Sequence, residues 1–123
     1  VCNSYAFRLT EAYLTQAEAI ALLGADLGLA KTRLKKVLLS AGITEFTDVD
    51  GVTSPEAMQL LVVQEVCKNF LQESGLDWFA LRRLPLATLK TLRPSVKSVY
   101  SLTLPIPIVE INANGLIEPN PVD

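Results

Sequence analysis

The stretch FRLTEAYLTQAEAIALLG, at residues 7–24, specifies the first element of the fold. Its apolar side chains recur at steps of three and four residues, which is the spacing of one face of an α-helix. This apolar face consists of Leu9, Ala12, Tyr13, Ala17, Ile20, Ala21 and Leu23. Gly24 follows and can adopt the left-handed conformation that closes a helix. The sequence therefore predicts a first amphipathic helix over residues 7–23.

A second amphipathic helix is predicted over residues 29–41, after a link at residues 25–28, and Gly42 is expected to end it. Its apolar face is formed by Leu29, Leu34, Val37, Leu38 and Ala41. Four cationic residues lie mostly on the other side and are interpreted as a solvated face: Lys31, Arg33, Lys35 and Lys36. Helices joined by so short a link must be antiparallel, so residues 1–42 are predicted to form a helical hairpin.

A third helix is predicted to begin at Ser54-Pro55-Glu56, after a polar loop at residues 42–53. The serine can cap free backbone N–H groups, the proline suits the first turn, and the glutamate favours the positive end of the helix dipole. The helix is expected to reach Ser74, to stop at Gly75 and to be the most buried element. Its apolar residues cover more than half of its circumference: Leu60, Leu61, Val63, Val66, Cys67, Phe70 and Leu71. A short helical turn is predicted at residues 76–83.

The character of the sequence changes in residues 84–123, which contain most of its prolines. Residues 86–97 show no firm period, and Pro94 forbids a long helix there. Residues 99–104 alternate apolar and polar side chains and predict a short strand, and residues 108–112 predict a helical turn or a short extended piece. This irregular, proline-rich tail is too rich in large apolar residues to be disordered, so it is expected to wrap back onto a core.

At 123 residues the chain has room for one domain at most, and the prediction is an all-α fold. Half of the residues are hydrophobic, which is high for a soluble domain of this size. The net charge is −2, so the totals show no basic face for nucleic acid. No apolar run reaches the ~18 residues of a membrane-spanning helix. The pattern of a signal peptide is also absent, so any export and lipidation signal is expected upstream.

The residue inventory argues against catalysis. There is no histidine, which excludes histidine-based nucleophilic catalysis and histidine metal sites. Glu11 and Glu18, like Glu65 and Glu73, lie two helical turns apart, about 10–12 Å, which is too far to share a proton. No glycine-rich loop could cradle a phosphate. We therefore predict no catalytic, metal or cofactor-binding residue, and a protein that is not an enzyme.

Several residues admit a functional and a structural interpretation. Trp78-Phe79 could stack on a sugar or a base, but the flanking leucines favour anchoring of a short helix in the core. Arg82-Arg83 could bind an anion, but the favoured interpretation is structural, with one or both arginines paired with carboxylates or helix-end carbonyls. Two tyrosines and one cysteine are interpreted as core residues: Tyr5, Tyr13 and Cys67. The other cysteine is Cys2, and two cysteines do not reveal the redox compartment.

Three stretches, in order, resemble the end of a SusD/RagB-family protein. Residues 7–19, FRLTEAYLTQAEA, resemble a helix of that family and are followed, as in the family, by a second helix. The third resembling stretch is LPIP at residues 104–107, with EINAN at 110–114 and NP at 120–121. The middle stretch, residues 65–83, matches at Glu65, Phe70, Glu73, Gly75, Trp78, Phe79, Leu81 and Arg82. It departs from the family pattern at Val66, Cys67, Leu76, Asp77 and Ala80.

The resemblance implies the C-terminal part of a much longer outer-membrane lipoprotein on the cell surface, with a tetratricopeptide-like helical scaffold. Such proteins sit on a SusC-like TonB-dependent transporter and bind glycans, or in some cases peptides, without chemistry. Their ligand contacts come mostly from loops that precede this region, so no ligand-binding residue is carried over. Membrane attachment would be through an N-terminal lipid anchor only. The alternative is a tetratricopeptide-like module for protein–protein interaction.

Overall fold

The computed structural model describes residues 7–24 and 26–121, and every regular element in these ranges is a helix. The α-helices are α1 (Leu9–Leu23), α2 (Leu27–Ser40), α3 (Thr47–Asp50), α4 (Pro55–Asn69), α5 (Leu76–Leu81), α6 (Leu86–Leu92) and α7 (Ile108–Ala113). A 3-10 helix covers Tyr100–Leu102. The all-α prediction is therefore confirmed. Two compact units are present, Val1–Leu81 (unit 1) and Arg82–Asp123 (unit 2).

Helix α1 ends where the sequence predicts, at Gly24, whose φ of 64° is left-handed. The predicted apolar face is wrong in part, because Leu9 and Leu23 are 72% and 80% exposed. The face that packs against α2 and α4 is formed by Leu14, Ala17, Glu18 and Ala21. Alanines occur on several sides of this helix, so the spacing of apolar residues alone does not single out the side that is buried.

Helix α2 begins two residues earlier than predicted, because the Asp26 carboxylate accepts a hydrogen bond from the Leu29 backbone N–H at 2.9 Å. Its buried residues are Ala30, Leu34, Val37 and Leu38, whereas the predicted face residues Leu29 and Ala41 are exposed. The helix ends as predicted at Gly42, with φ of 83°. The N–H groups of Gly42 and Ile43 return to the carbonyls of Leu39 and Leu38, the two bonds of a Schellman motif.

Helix α4 begins as predicted, with the Ser54 hydroxyl accepting a hydrogen bond from the Ala57 N–H at 3.2 Å. It packs against α1, α2 and α5 and has more buried residues than α1 or α2, so it is the central element of unit 1. Its predicted end at Ser74 is wrong, since the helix stops at Asn69. The chain then turns through three left-handed residues, Gln72, Ser74 and Gly75, a conformation that no α-helix can contain.

Unit 2 corrects the predictions made for residues 84–104. Helix α6 occupies part of the stretch without a firm period, and it ends two residues before Pro94. The predicted strand at 99–104 is wrong, because Tyr100–Leu102 forms a 3-10 helix. The Ser101 hydroxyl accepts hydrogen bonds from the N–H groups of Lys97 and Ser98, which closes a turn that a strand cannot make.

The tail was expected to bury its apolar residues against a core, but it does not. In residues 97–121 no side chain is buried, and Leu104 and Leu116 are 85% and 93% exposed. The prolines divide this segment into short pieces, and a six-residue helix such as α7 is too short to form a continuous apolar face. The helical alternative for residues 108–112 is confirmed by α7. Among the described residues of unit 2, the buried ones are Leu84, Leu89 and Val96.

Candidate functional site

Three of the four carboxylates singled out in the sequence contact neighbouring side chains in unit 1, namely Glu18, Glu65 and Glu73. Glu18 is buried and accepts a hydrogen bond from the Gln59 amide at 3.2 Å. Glu65 is buried on α4 and forms an ion pair with Lys68, one turn along the same helix. Within residues 7–24 and 26–121, no group of three acidic or cysteine side chains is placed to hold a metal ion. These contacts give the carboxylates a structural role.

A polar cluster centred on Arg8 was not singled out by the residue patterns. The Arg8 guanidinium donates hydrogen bonds to the Asn69 carbonyl at 2.7 Å and to the Glu73 carboxylate at 2.9 Å. It also lies over the Phe70 ring, 4.4 Å from the ring centroid. The start of α1 is thereby attached to the end of α4. The sequence pointed to these residues only through the family resemblance. Arg8 lies in the first family-like stretch, and Phe70 and Glu73 lie in the second.

The cationic face of α2 is less solvated than predicted. Lys31 and Lys35 both reach Asp50 at the end of α3, through the backbone carbonyl at 2.9 Å and the carboxylate at 2.6 Å. Arg33 and Lys36 lie over the Tyr13 ring, at 5.9 and 5.5 Å from its centroid. Three of the four cationic residues are half-buried because they join α2 to its neighbours, and only Lys36 is exposed.

The aromatic pair on α5 divides between two environments. Trp78 is half-buried, as a residue anchoring a short helix would be, but Phe79 is 53% exposed. The core interpretation is therefore wrong for Phe79. Arg82 and Arg83 are exposed at the start of unit 2. Tyr13 and Cys67 are half-buried rather than buried, and Tyr5 and Cys2 lie outside the described residues.

The described residues of unit 1 form a groove and a smaller pocket. A groove of about 470 Å³ runs along α1 between Phe7 and Ala19, and its floor contains Ala12 and Thr15. A smaller pocket of about 180 Å³ lies among α2, α3 and α4, with Phe46 and Asp48 on one wall and Glu65 on another. The groove is an open helix face and the pocket is small, so neither has the shape of an enclosed ligand site.

Unit 2 has a pocket of its own, of about 270 Å³. Tyr100 and Thr103 of the 3-10 helix segment form one side, and Pro119, Asn120 and Pro121 form the other. The Asn120 amide donates a hydrogen bond to the Leu104 carbonyl at 2.9 Å, which holds the two sides together. This pocket was not anticipated, because residues 99–104 were predicted to be a strand.

Within residues 7–24 and 26–121, the structure contains no helix that could span a membrane.

The fold and these contacts define an all-α protein whose helices are joined by buried polar pairs and ion pairs. The family model described as the SusD family matches residues 2–101, and the chain belongs to this family. No curated protein matches the chain. No solved structure matches it either. SusD-family proteins are binding proteins rather than enzymes, and they take part in nutrient uptake, typically of glycans, together with SusC-like transporters.

Proposed function

We propose that this chain is the C-terminal, structural part of a cell-surface lipoprotein of the outer membrane. The complete protein would capture a glycan, or a peptide, and deliver it to a SusC-like TonB-dependent transporter without changing it chemically. The observation that carries the proposal is the match of residues 2–101 to the SusD family. The lipid anchor and the main ligand contacts are assigned to the part of the protein that precedes this chain.

The Arg8 cluster supports a scaffold role. Arg8 lies in the first of the family-like stretches, and Phe70 and Glu73 lie in the second, more than 60 residues later. Their contacts join the two stretches across unit 1. The residues that carry the family resemblance therefore bind each other. This favours a role in supporting a binding face over a role in contacting the ligand directly.

The exposed side of α1 also supports a position within a larger helical protein. Phe7 is 82% exposed, and with Leu9 and Leu23 it gives α1 an apolar side in contact with water. Apolar patches of this kind mark surfaces that pack against another element. We assign this side, including the groove above Ala12 and Thr15, to contact with preceding helices of the same protein.

The proposal is tested by isolating the complete protein from the outer membrane of its source cells through an affinity tag at the C-terminus. We expect a TonB-dependent transporter to be isolated with it and the pure complete protein to be retained on a resin that carries its glycan. Deletion of the transporter should abolish uptake of that glycan. A complete protein found without an anchor, a transporter or glycan retention would refute the proposal.

The packing of α1 against α2 favours a second candidate, a tetratricopeptide-like module for protein–protein interaction. The same isolation distinguishes the two functions. A stoichiometric protein partner that is not a transporter, together with no glycan retention, would support the interaction module.

A further inference from the structure

The pocket of unit 2 combines an aromatic ring with polar groups and has no charged side chain in its lining. Tyr100 is 47% exposed, and Pro105 and Pro119 line the same pocket. Thr103 and Asn120 add a hydroxyl and an amide. Aromatic and proline rings give flat apolar surfaces for C–H groups, and hydroxyls and amides exchange hydrogen bonds with O–H groups. These properties fit a neutral polyhydroxylated ligand.

The walls of the pocket are held in place by hydrogen bonds. The Thr103 hydroxyl donates to the Tyr100 carbonyl at 2.8 Å, and the Ser98 hydroxyl accepts from the Tyr100 N–H at 3.0 Å. The Asn120 side chain is fixed through its Nδ2, which donates to the Leu104 carbonyl. Its Oδ1 accepts no bond from a side chain in the described residues. A preformed site of this kind avoids part of the entropy cost of binding a small ligand.

We propose that this pocket is a subsite for one neutral sugar ring, stacked on Tyr100 with a hydroxyl donating to Asn120 Oδ1. The choice of a sugar among polyols rests on the glycan-binding function proposed above. The volume of about 270 Å³ lies just below the range of pockets for drug-sized ligands, so one ring fits and a long oligosaccharide does not. The subsite would hold one unit of a glycan whose main contacts lie elsewhere in the complete protein.

Two other classes of ligand fit the pocket less well. An anion needs a cationic partner, and neither lysine nor arginine lines the walls. A proline-rich peptide is recognised by a groove with successive aromatic rings, whereas Tyr100 is the one aromatic residue in this lining.

The test is a titration of the ¹⁵N-labelled 123-residue chain with methyl glycosides of glucose, galactose, mannose and xylose, followed by amide chemical shifts. We expect saturable shifts with at least one glycoside, confined to residues near 98–106 and 117–121. The dissociation constant should be roughly millimolar, because a shallow site contacts one side of a single ring. Intermolecular NOEs should connect the Tyr100 ring protons to sugar C–H protons, and this measurement requires no variant.

Substitutions identify the ring as the binding element. Tyr100→Ala should weaken binding by roughly tenfold or more, the factor expected for one lost stacking partner, whereas Tyr100→Phe should retain binding within a few-fold. Leu116→Ala removes an exposed apolar side chain of the same unit outside the pocket and serves as the matched control, with no expected change.

The proposal is overturned if none of the four glycosides gives a saturable shift, if the shifts lie in unit 1, or if the NOEs are absent. Saturable binding of a proline-rich peptide in place of the glycosides would also overturn it. Failure at this pocket leaves the proposed capture function in force if the complete protein still binds its glycan. Conversely, if a glycoside binds this pocket but the complete protein has no transporter partner, the subsite proposal stands and the proposed capture function fails.

Discussion

At the scale of single residues, Arg8 shows how one side chain can join distant parts of the chain. Its guanidinium forms an ion pair with Glu73, donates a hydrogen bond to the Asn69 carbonyl and packs with its flat face over the Phe70 ring. Lysine could not reproduce this combination, because an ammonium group is a compact charge without the planar fork of a guanidinium. Glu73 is about half exposed, so water weakens the ion pair and the packing contributes much of the stabilisation.

Replacement of Arg8 by alanine should lower the free energy of unfolding by about 1–2 kcal/mol, since a cation–π contact, a carbonyl hydrogen bond and a screened ion pair are lost together. Urea denaturation followed by circular dichroism measures the change. Arg8→Lys should restore only part of the loss. Arg82→Ala is the matched control, because Arg82 is exposed and its removal should change stability by less than about 0.5 kcal/mol. Equal effects of the two alanine substitutions would contradict the role of Arg8.

At the scale of the helices, α4 is defined by different kinds of interaction at its two ends. Its start depends on neighbours in sequence, Ser54 and Pro55, which satisfy or remove free N–H groups of the first turn. Its end is followed by left-handed residues that are not all glycine, Gln72 and Ser74. Such a conformation costs an L-residue free energy. Around this turn, Arg8 binds Asn69, Phe70 and Glu73, so contacts with α1 stabilise the end of α4.

The cap of α4 gives a direct test at this scale. Ser54→Ala removes the hydroxyl that accepts from the Ala57 N–H, so the free energy of unfolding should fall by about 1 kcal/mol. Ser54→Asp should retain most of the stability, because aspartate is also a good cap and favours the helix dipole. Thr53→Ala, one residue earlier at an exposed position, controls for the loss of a hydroxyl. No difference between Ser54→Ala and Thr53→Ala in thermal or urea unfolding would exclude the cap as a stabilising contact.

At the scale of the whole molecule, the two units differ in how much apolar surface each buries. Unit 1 contains a core of fully buried side chains that includes Leu14, Leu34, Met58 and Phe70. Unit 2 buries Leu84, Leu89 and Val96, and residues 97–121 contain no buried side chain. Burial of apolar area is the main favourable term in folding, so the units should differ in stability.

Native-state hydrogen exchange should reveal this difference residue by residue. We expect the amides of α1 and α4 to exchange slowest, because their exchange requires unit 1 to unfold. The amides of α7 should be among the fastest to exchange. Addition of the glycoside that binds the Tyr100 pocket should slow exchange in unit 2 more than in unit 1. Equal protection of α4 and α7 would show that residues 97–121 belong to the same cooperative unit as the core.

Patterns in the amino-acid sequence were enough to predict the all-α class, the ends of α1 and α2 at Gly24 and Gly42, the start of α4 at Ser54, and membership of the SusD family. Caps and left-handed glycines act through bonds between residues three to five positions apart, so they are visible in the local order of residues. Packing of the helices was needed to establish which side of α1 is buried, how Arg8 reaches Glu73, and that the cationic residues of α2 contact Asp50 and Tyr13. The pocket around Tyr100 in the tail likewise follows from contacts that the sequence did not reveal. These contacts join residues up to 65 positions apart, and they exist only once the helices have packed.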